Sequence, residues 1–267
     1  DLRQDPDDHL FYFIRGMLFK AQKLPKYQND LNYAYQQSPK NWRYAFSLAE
    51  DHFKSGNTSV ALKIIQKTFK EDNNNYFAGM LLAQILNHIE DYDKTIELLK
   101  NLKILPYEHA TEGRKIYTDA YVGSALNYIA KDQNERAKQR LETALIWPEH
   151  LGVGKPFDPE ERWEKFLLAY IQQNNNLKIE SQLALVDVAE FSKKQLFRPS
   201  KNHLLGIYAL QQTQGEKEVQ QFIAQLLDTE HGDTAITQSL IKFYYKNPTV
   251  KLSKPFIMKL AVFFKSI

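Results

Sequence analysis

The sequence predicts an all-α fold, a solenoid of about seven antiparallel helix pairs wound into a right-handed superhelix. Three observations carry this. Two stretches of chain align without a gap at a step of 34 residues. Glycine and proline number only ten each in 267 residues, too few for an all-β chain that turns about every 8–12 residues. Helix-starting and helix-ending signals punctuate the rest of a chain that is 43% apolar, enough for a large core.

The aligned stretches are WRYAFSLAEDHFKSGNTSVALKIIQKTFKEDNNN, from Trp42 to Asn75, and YFAGMLLAQILNHIEDYDKTIELLKNLKILP, from Tyr76. Leu48 maps to Leu82, Ala49 to Ala83, Ala61 to Thr95 and Ile65 to Leu99. The step is that of the tetratricopeptide repeat (TPR), two helices of roughly 13 residues joined by a tight turn. Small side chains are needed where the backbones approach, at Ala49 and Ala83 on first helices and Ala61 on a second. Leu48, Leu82, Ile65 and Leu99 fill the space between pairs. Gly56 ends a first helix, where a left-handed residue costs least. Glu90 stands in its place one repeat later, so the signature is imperfect. A third copy places Ala125, Ala137, Leu141 and Ala144 in register after an insertion around residues 105–111.

Outside these copies, Asp158-Pro159-Glu160-Glu161 reads as an N-cap, a first-turn proline and dipole-favourable acids, opening a helix to Gln173. Its partner spans 177–192. Further pairs are Ser200–Gln214 with Glu216–Thr229, Thr234–Lys246 with Ser253–Lys265, and, at the front, Pro6–Lys20 with Pro25–Gln37. Residues 1–267 read as a single array with a bend at 147–157. Trp147 reads as a core side chain.

Charge and composition exclude several classes. With 35 basic and 32 acidic side chains the net charge is +3, too balanced to point to nucleic acid. Without cysteine there is no disulfide, zinc–thiolate site or cysteine nucleophile, and every redox compartment remains open. No apolar run reaches the 18–20 or so residues of a transmembrane helix. The first residue is Asp rather than Met, as in a processed chain or a piece of a longer one.

The stretches LPYEHATEGRKIYTDAYVGSAL (105–126) and ALIWPEHLGVGKPFDPEERWEKFLLAY (144–170) resemble a family of large bacterial proteins. In that family a β-sandwich domain of unknown function precedes a TPR array. The resemblance is specific over roughly residues 105–170. It implies a carbohydrate-associated setting and an upstream domain, and brings no catalytic residues.

Candidate sites follow from the register. The concave face, lined by first helices, carries Arg43, Phe46, Ser47, Glu50 and Lys54, then Phe77, Met80, Leu81, Gln84 and His88. Aromatic, Met and polar groups together suit a peptide groove, or else pack against the next turn of the superhelix. Glu108, Arg114, Glu149, Lys155, Asp158 and Arg162 flank two insertions, as a salt-bridge network that fixes long loops or as a docking patch. Gly152-Val153-Gly154-Lys155 lacks the earlier glycine and the following Ser or Thr of a phosphate loop, with Glu149 and Pro156 there instead, and reads as a sharp turn. The histidines show no HExxH and no helical i, i+4 pair, and no GxSxG occurs, so neither a metal, a cofactor nor an enzyme is expected. His52 occupies a position suited to hydrogen-bonded packing.

The last helix, with Phe256, Ile257, Leu260, Ala261, Phe263 and Phe264, is apolar around most of its circumference. It tucks into the stack, pairs with a second copy, meets another domain, or lies on a membrane surface. The expected function is a non-enzymatic interaction module for a protein or peptide, an upstream domain of the same gene product included. The alternatives are an accessory region of a carbohydrate-associated protein and a dimerisation unit. If Ala137 sits at a helix crossing, Ala137→Leu should lower the stability measured by urea unfolding by about 1–3 kcal/mol through overpacking.

Overall fold

The computed structural model describes residues 8–105, 111–198, 200–248 and 251–267. Among these residues there are 14 α-helices and one short 3₁₀ turn, and no strand. The helices fall into two compact units, residues 1–120 with 148–154, and residues 121–147 with 155–267. The first contains α1 (His9–Ala21), α2 (Tyr27–Gln37), α3 (Trp42–Lys54), α4 (Thr58–Glu71), α5 (Tyr76–His88) and α6 (Tyr92–Asn101). Helix α7 (Glu112–Ala130) starts in the first unit and ends in the second. The second continues with α8 (Asn134–Ala144), α9 (Arg162–Asn174), α10 (Lys178–Lys194), α11 (His203–Thr213), α12 (Glu216–Leu227), α13 (Ala235–Lys246) and α14 (Lys254–Ser266).

One turn chemistry closes five successive pairs. Lys23, Gly56, Glu90, Asp132 and Asn176 all have positive φ, between 57° and 80°. In each turn the following N–H reaches back five residues, as in Asn57 to the His52 carbonyl at 2.8 Å and Asp91 to that of Leu86 at 2.9 Å. The left-handed residue itself bonds three residues back, as in Glu90 to Asn87 at 3.0 Å. This is the Schellman closure, which satisfies carbonyls that a helix end leaves bare. Glu90 therefore adopts the glycine conformation that its sequence position required, at a steric cost.

Seven residues before each left-handed position and five after it stand small, buried side chains. The pairs are Ala49/Ala61, Ala83/Thr95, Ala125/Ala137 and Ala169/Ser181, all buried. At the last, the Ser181 hydroxyl donates to the Ala169 carbonyl at 2.9 Å, a direct measure of how closely the helices approach. The register thus extends to a fourth copy, in α9 and α10, which the serine had concealed. Behind the crossings Ile65, Leu99, Leu141 and Leu185 repeat as buried core residues. Between pairs in the first unit, α5 packs on both α3 and α4, and Ala49, Ala61, Ile65, Ala78, Leu81 and Ile85 share one cluster.

Four expectations change. The helix read from Asp158 begins at Arg162, because Glu160 accepts the Arg162 backbone N–H at 3.2 Å and holds that guanidinium too, keeping residues 158–161 out of the helix. Trp147 is half-buried, with its indole N–H donating to Glu161 at 3.1 Å. His52 is half-buried and makes no side-chain hydrogen bond among the described residues. Helix α14 is absorbed by the second unit. Phe264 packs edge-on to Trp163 at 5.0 Å, Phe263 stacks on Phe243 at 4.2 Å, and Ile257 and Leu260 are fully buried.

If the left-handed turn is strained by side chains, Glu90→Gly should stabilise the protein by about 0.5–1 kcal/mol and Gly56→Ala should destabilise it by about 1 kcal/mol. A Cβ at Gly56 meets no atom within 4 Å, so the loss would report backbone strain alone. Urea titrations read both.

Candidate functional site

The N-terminal turns of α3 and α5 build an aromatic surface. Trp42 and Phe77 stack with centroids 5.3 Å apart and planes 15° from parallel. Tyr76 lies beside Phe77 at 4.1 Å and Phe46 meets it edge-on at 6.3 Å. The Arg43 guanidinium sits 4.6 Å from the Trp42 ring centroid, a cation–π contact. Asn41 and Asn75 cap the two helices, accepting N–H groups of Arg43 and Ala78 at 3.1 Å each, and so fix where these rings start. Phe77 remains 43% exposed despite three ring neighbours. Arg43 is exposed and has no carboxylate partner among the described residues.

Along the same helices, Glu50 accepts Lys54 at 2.6 Å and Lys20 at 3.4 Å. Burial pushes the Glu50 carboxyl up, but the Lys54 hydrogen bond and the two ammonium charges outweigh it and hold the group below its usual range. Gln84 and His88 are exposed, with His88 edge-on to Phe53 at 5.2 Å, and Met80 is half-buried. Ser47 and Leu81 are buried in packing between pairs and do not line the surface. The other eight groove positions alternate between the helices at a constant step of 34 residues, Arg43 with Phe77, Phe46 with Met80, Glu50 with Gln84 and Lys54 with His88.

The loop residues divide. Glu108 lies outside the described residues. In the first unit Arg114 is buried, 6.0 Å from the Tyr117 ring, while Glu149 is exposed on the 3₁₀ turn Glu149–Leu151. That turn ends at Gly152 with φ +74°, and the loop is pinned by the Ile104 N–H on the His150 carbonyl at 2.9 Å. In the second unit Lys155 pairs with Glu161 at 2.9 Å. Asp158 is exposed at the rim of an open cleft of about 210 Å³, shared with Lys165, Asp187, Glu190 and Lys194.

Arg162 is only 2% exposed and ties together three helices. It holds Glu160 by two hydrogen bonds, at 2.9 and 2.5 Å, and donates to Ser192 at 3.1 Å and Ser200 at 3.0 Å. Its guanidinium lies 5.3 Å from the Phe191 ring centroid. His203 donates from Nε2 to the Arg198 carbonyl at 2.8 Å, which leaves Nδ1 to accept from Arg162 at 3.3 Å. Gly206 permits this approach, since a Cβ there would stand 2.3 Å from the Ser192 hydroxyl. Sequence reasoning named Arg162 but missed Glu160, Ser192 and His203. The last two lie 30 and 41 residues away and follow no helical spacing.

Burial lowers the His203 pKa from 6.5 to about 4, against the Arg198 hydrogen bond and with the Arg162 charge assisting. At Glu160, burial pushes upward and Arg162 overcomes it, keeping the carboxyl below its usual value. No group of three or more His, Asp or Glu able to hold a metal occurs among the described residues, and no helix there is long and apolar enough to cross a membrane.

The family described as "Anaphase-promoting complex, cyclosome, subunit 3" matches residues 30–102. No curated protein matches the chain. Among solved structures, one from a functional characterization of Pseudomonas aeruginosa pilF is 12% identical, covers 90% of this chain and 97% of its own, and gives a TM-score of 0.50. A MamA RS-1 ArsTM double mutant is 15% identical over 70% of this chain and 96% of its own, with a TM-score of 0.49.

A depressed histidine pKa means that the fold favours the neutral ring. Stability should be full above about pH 6.5 and fall as pH drops from 6.5 toward 4, by roughly 3 kcal/mol in total. Glu160 is lost only below its usual 4.5, so the upper part of this window isolates His203. Denaturant titrations across the window should show this slope, and His203→Gln should remove most of it.

With the 34-residue step, the serial helix pairs and the shared left-handed turns, the pilF likeness identifies the fold: the chain is a TPR-like α-solenoid, a class that generally mediates protein–protein interaction.

Proposed function

We propose that the chain is a non-enzymatic interaction module that holds a peptide or protein segment on the first-helix face of α3 and α5. The observation that carries this reading is the exposed Phe77 ring, stacked on Trp42 beside the Arg43 guanidinium. Rings held by their neighbours lose little freedom when a ligand lands on them, which is why aromatic and arginine side chains dominate interface energetics. Arg43 supplies a charge with no carboxylate partner among the described residues, while Glu50, Lys54 and Lys20 neutralise one another further along. The best-fitting ligand is an extended or helical segment with an apolar side chain to cover Phe77 and a carboxylate to meet Arg43. Gln84 and His88 offer polar contacts along the remaining length. An upstream domain of the same gene product is one source of such a segment.

The test is selection of peptides from a random library on the immobilised full chain, followed by titration of the selected sequences. Phe77→Ala should weaken them by about 1–2 kcal/mol or more and Arg43→Glu by at least as much, with unchanged thermal melting because both side chains are exposed. Failure to enrich any sequence, or binding indifferent to both substitutions, would refute the groove.

A further inference from the structure

Helix α1 presents an apolar stripe of Leu10, Phe11, Ile14, Met17 and Leu18, each at least 40% exposed. The repeat register says what belongs there. The left-handed turn residues Lys23, Gly56 and Glu90 align α1 with α3 and α5. Phe11, Ile14 and Leu18 then correspond to Tyr44, Ser47 and Asp51 of α3, and to Ala78, Leu81 and Ile85 of α5. Those six side chains are between 0 and 8% exposed, whereas Phe11, Ile14 and Leu18 are 40, 47 and 58% exposed.

The difference lies in what precedes each helix. Tyr44 is covered by His9 and Phe13 of α1, with centroids 5.6 and 4.5 Å away. Asp51 is covered by α2, accepting from Tyr27 at 2.9 Å and Gln28 at 3.1 Å. Ala78, Leu81 and Ile85 cluster with Ala49 of α3 and with Ala61 and Ile65 of α4. Every such face is thus closed by the helix pair before it. On α1 the equivalent face is open among the described residues, and the seven preceding residues are too few to form a helix pair.

We infer that the Phe11–Ile14–Leu18 face of α1 is a docking surface for an amphipathic helix pair of another polypeptide, seated as α3 and α4 are seated on α5. This inference does not depend on the groove reading. The stripe carries no charge, because Arg15 is turned away onto Asp30 in a two-point ion pair at 2.7 Å. The partner helix therefore offers an uncharged face with a small residue at its centre, as α4 does with Ala61 and Ile65. A second copy fits less well. Two α1 stripes, each about 20 Å long, bury on the order of 800 Å² in total, short of the roughly 1,200 Å² of a stable interface. Helix α14, the last second-helix, exposes Lys259 and Lys265 rather than an apolar face.

The probe is a fluorescein-labelled peptide of residues 57–72, the α4 segment, hydrocarbon-stapled between the exposed positions 63 and 67. It is titrated into the full chain by fluorescence anisotropy. Saturable micromolar binding is expected, weakened at least about tenfold by Ile14→Lys or Leu18→Lys. Both sites are exposed, so circular dichroism melts should be unchanged. Ile179→Lys with Leu183→Lys, on the exposed apolar stripe of α10, should leave binding intact, as should Phe77→Ala in the groove. The inference fails if no saturation occurs in the micromolar range, if the α1 variants bind as well as the native chain, or if the α10 variant loses binding equally. It also fails if sedimentation shows the chain to be a dimer that Ile14→Lys dissolves, since the occupant would then be a second copy.

Discussion

The close approach of two backbones within each helix pair is the constraint on which the rest depends. It demands a small side chain on each helix and a turn that returns the chain at a fixed phase. The segments Ala49–Ala61, Ala83–Thr95, Ala125–Ala137 and Ala169–Ser181 all span the same number of residues, with the left-handed residue at the same offset in each. Longer links appear only between pairs, around residues 105–111 and 147–157. The physics is plain: an insertion inside a hairpin would rotate one helix and replace a small contact by a large one, whereas an insertion between hairpins lengthens a loop at little entropic cost.

The same phase dictates the functional surface. Once crossing positions are fixed, the outward positions follow, which is why Arg43 and Phe77, or Glu50 and Gln84, occupy equivalent places on α3 and α5. Backbone approach dictates nothing about their chemistry. Their side chains are free to vary with a ligand, so the location of a groove can be read while its occupant must be inferred from exposed rings and unneutralised charge.

Sequence legibility divided along that line. The crossing residues of two repeats stood at equal steps, and a third could be found after an insertion. The fourth escaped because Ser181 looks unlike alanine, although its hydroxyl is silenced by the Ala169 carbonyl. Glu90 seemed to blemish the pattern, yet it takes the same backbone conformation as Gly56. The start of α9 was misplaced because a Pro-Glu-Glu run after Asp158 imitates a helix opening, while Glu160 is committed to Arg162. The Arg162 cluster had no readable signal beyond the arginine itself. Its partners come from three separate segments, and no periodicity connects them.

That cluster has a consequence for how the second unit comes apart. In a stack where each pair meets only its neighbours through grease, pairs peel away one at a time from an end. Arg162 belongs to one hairpin and His203 to the next, with Ser192 between them, so removing α11 strands a charged guanidinium and a serine without their shared imidazole. Fraying from that side is penalised electrostatically as well as by exposed surface, which makes α9, α10 and α11 a single melting block inside an otherwise modular array.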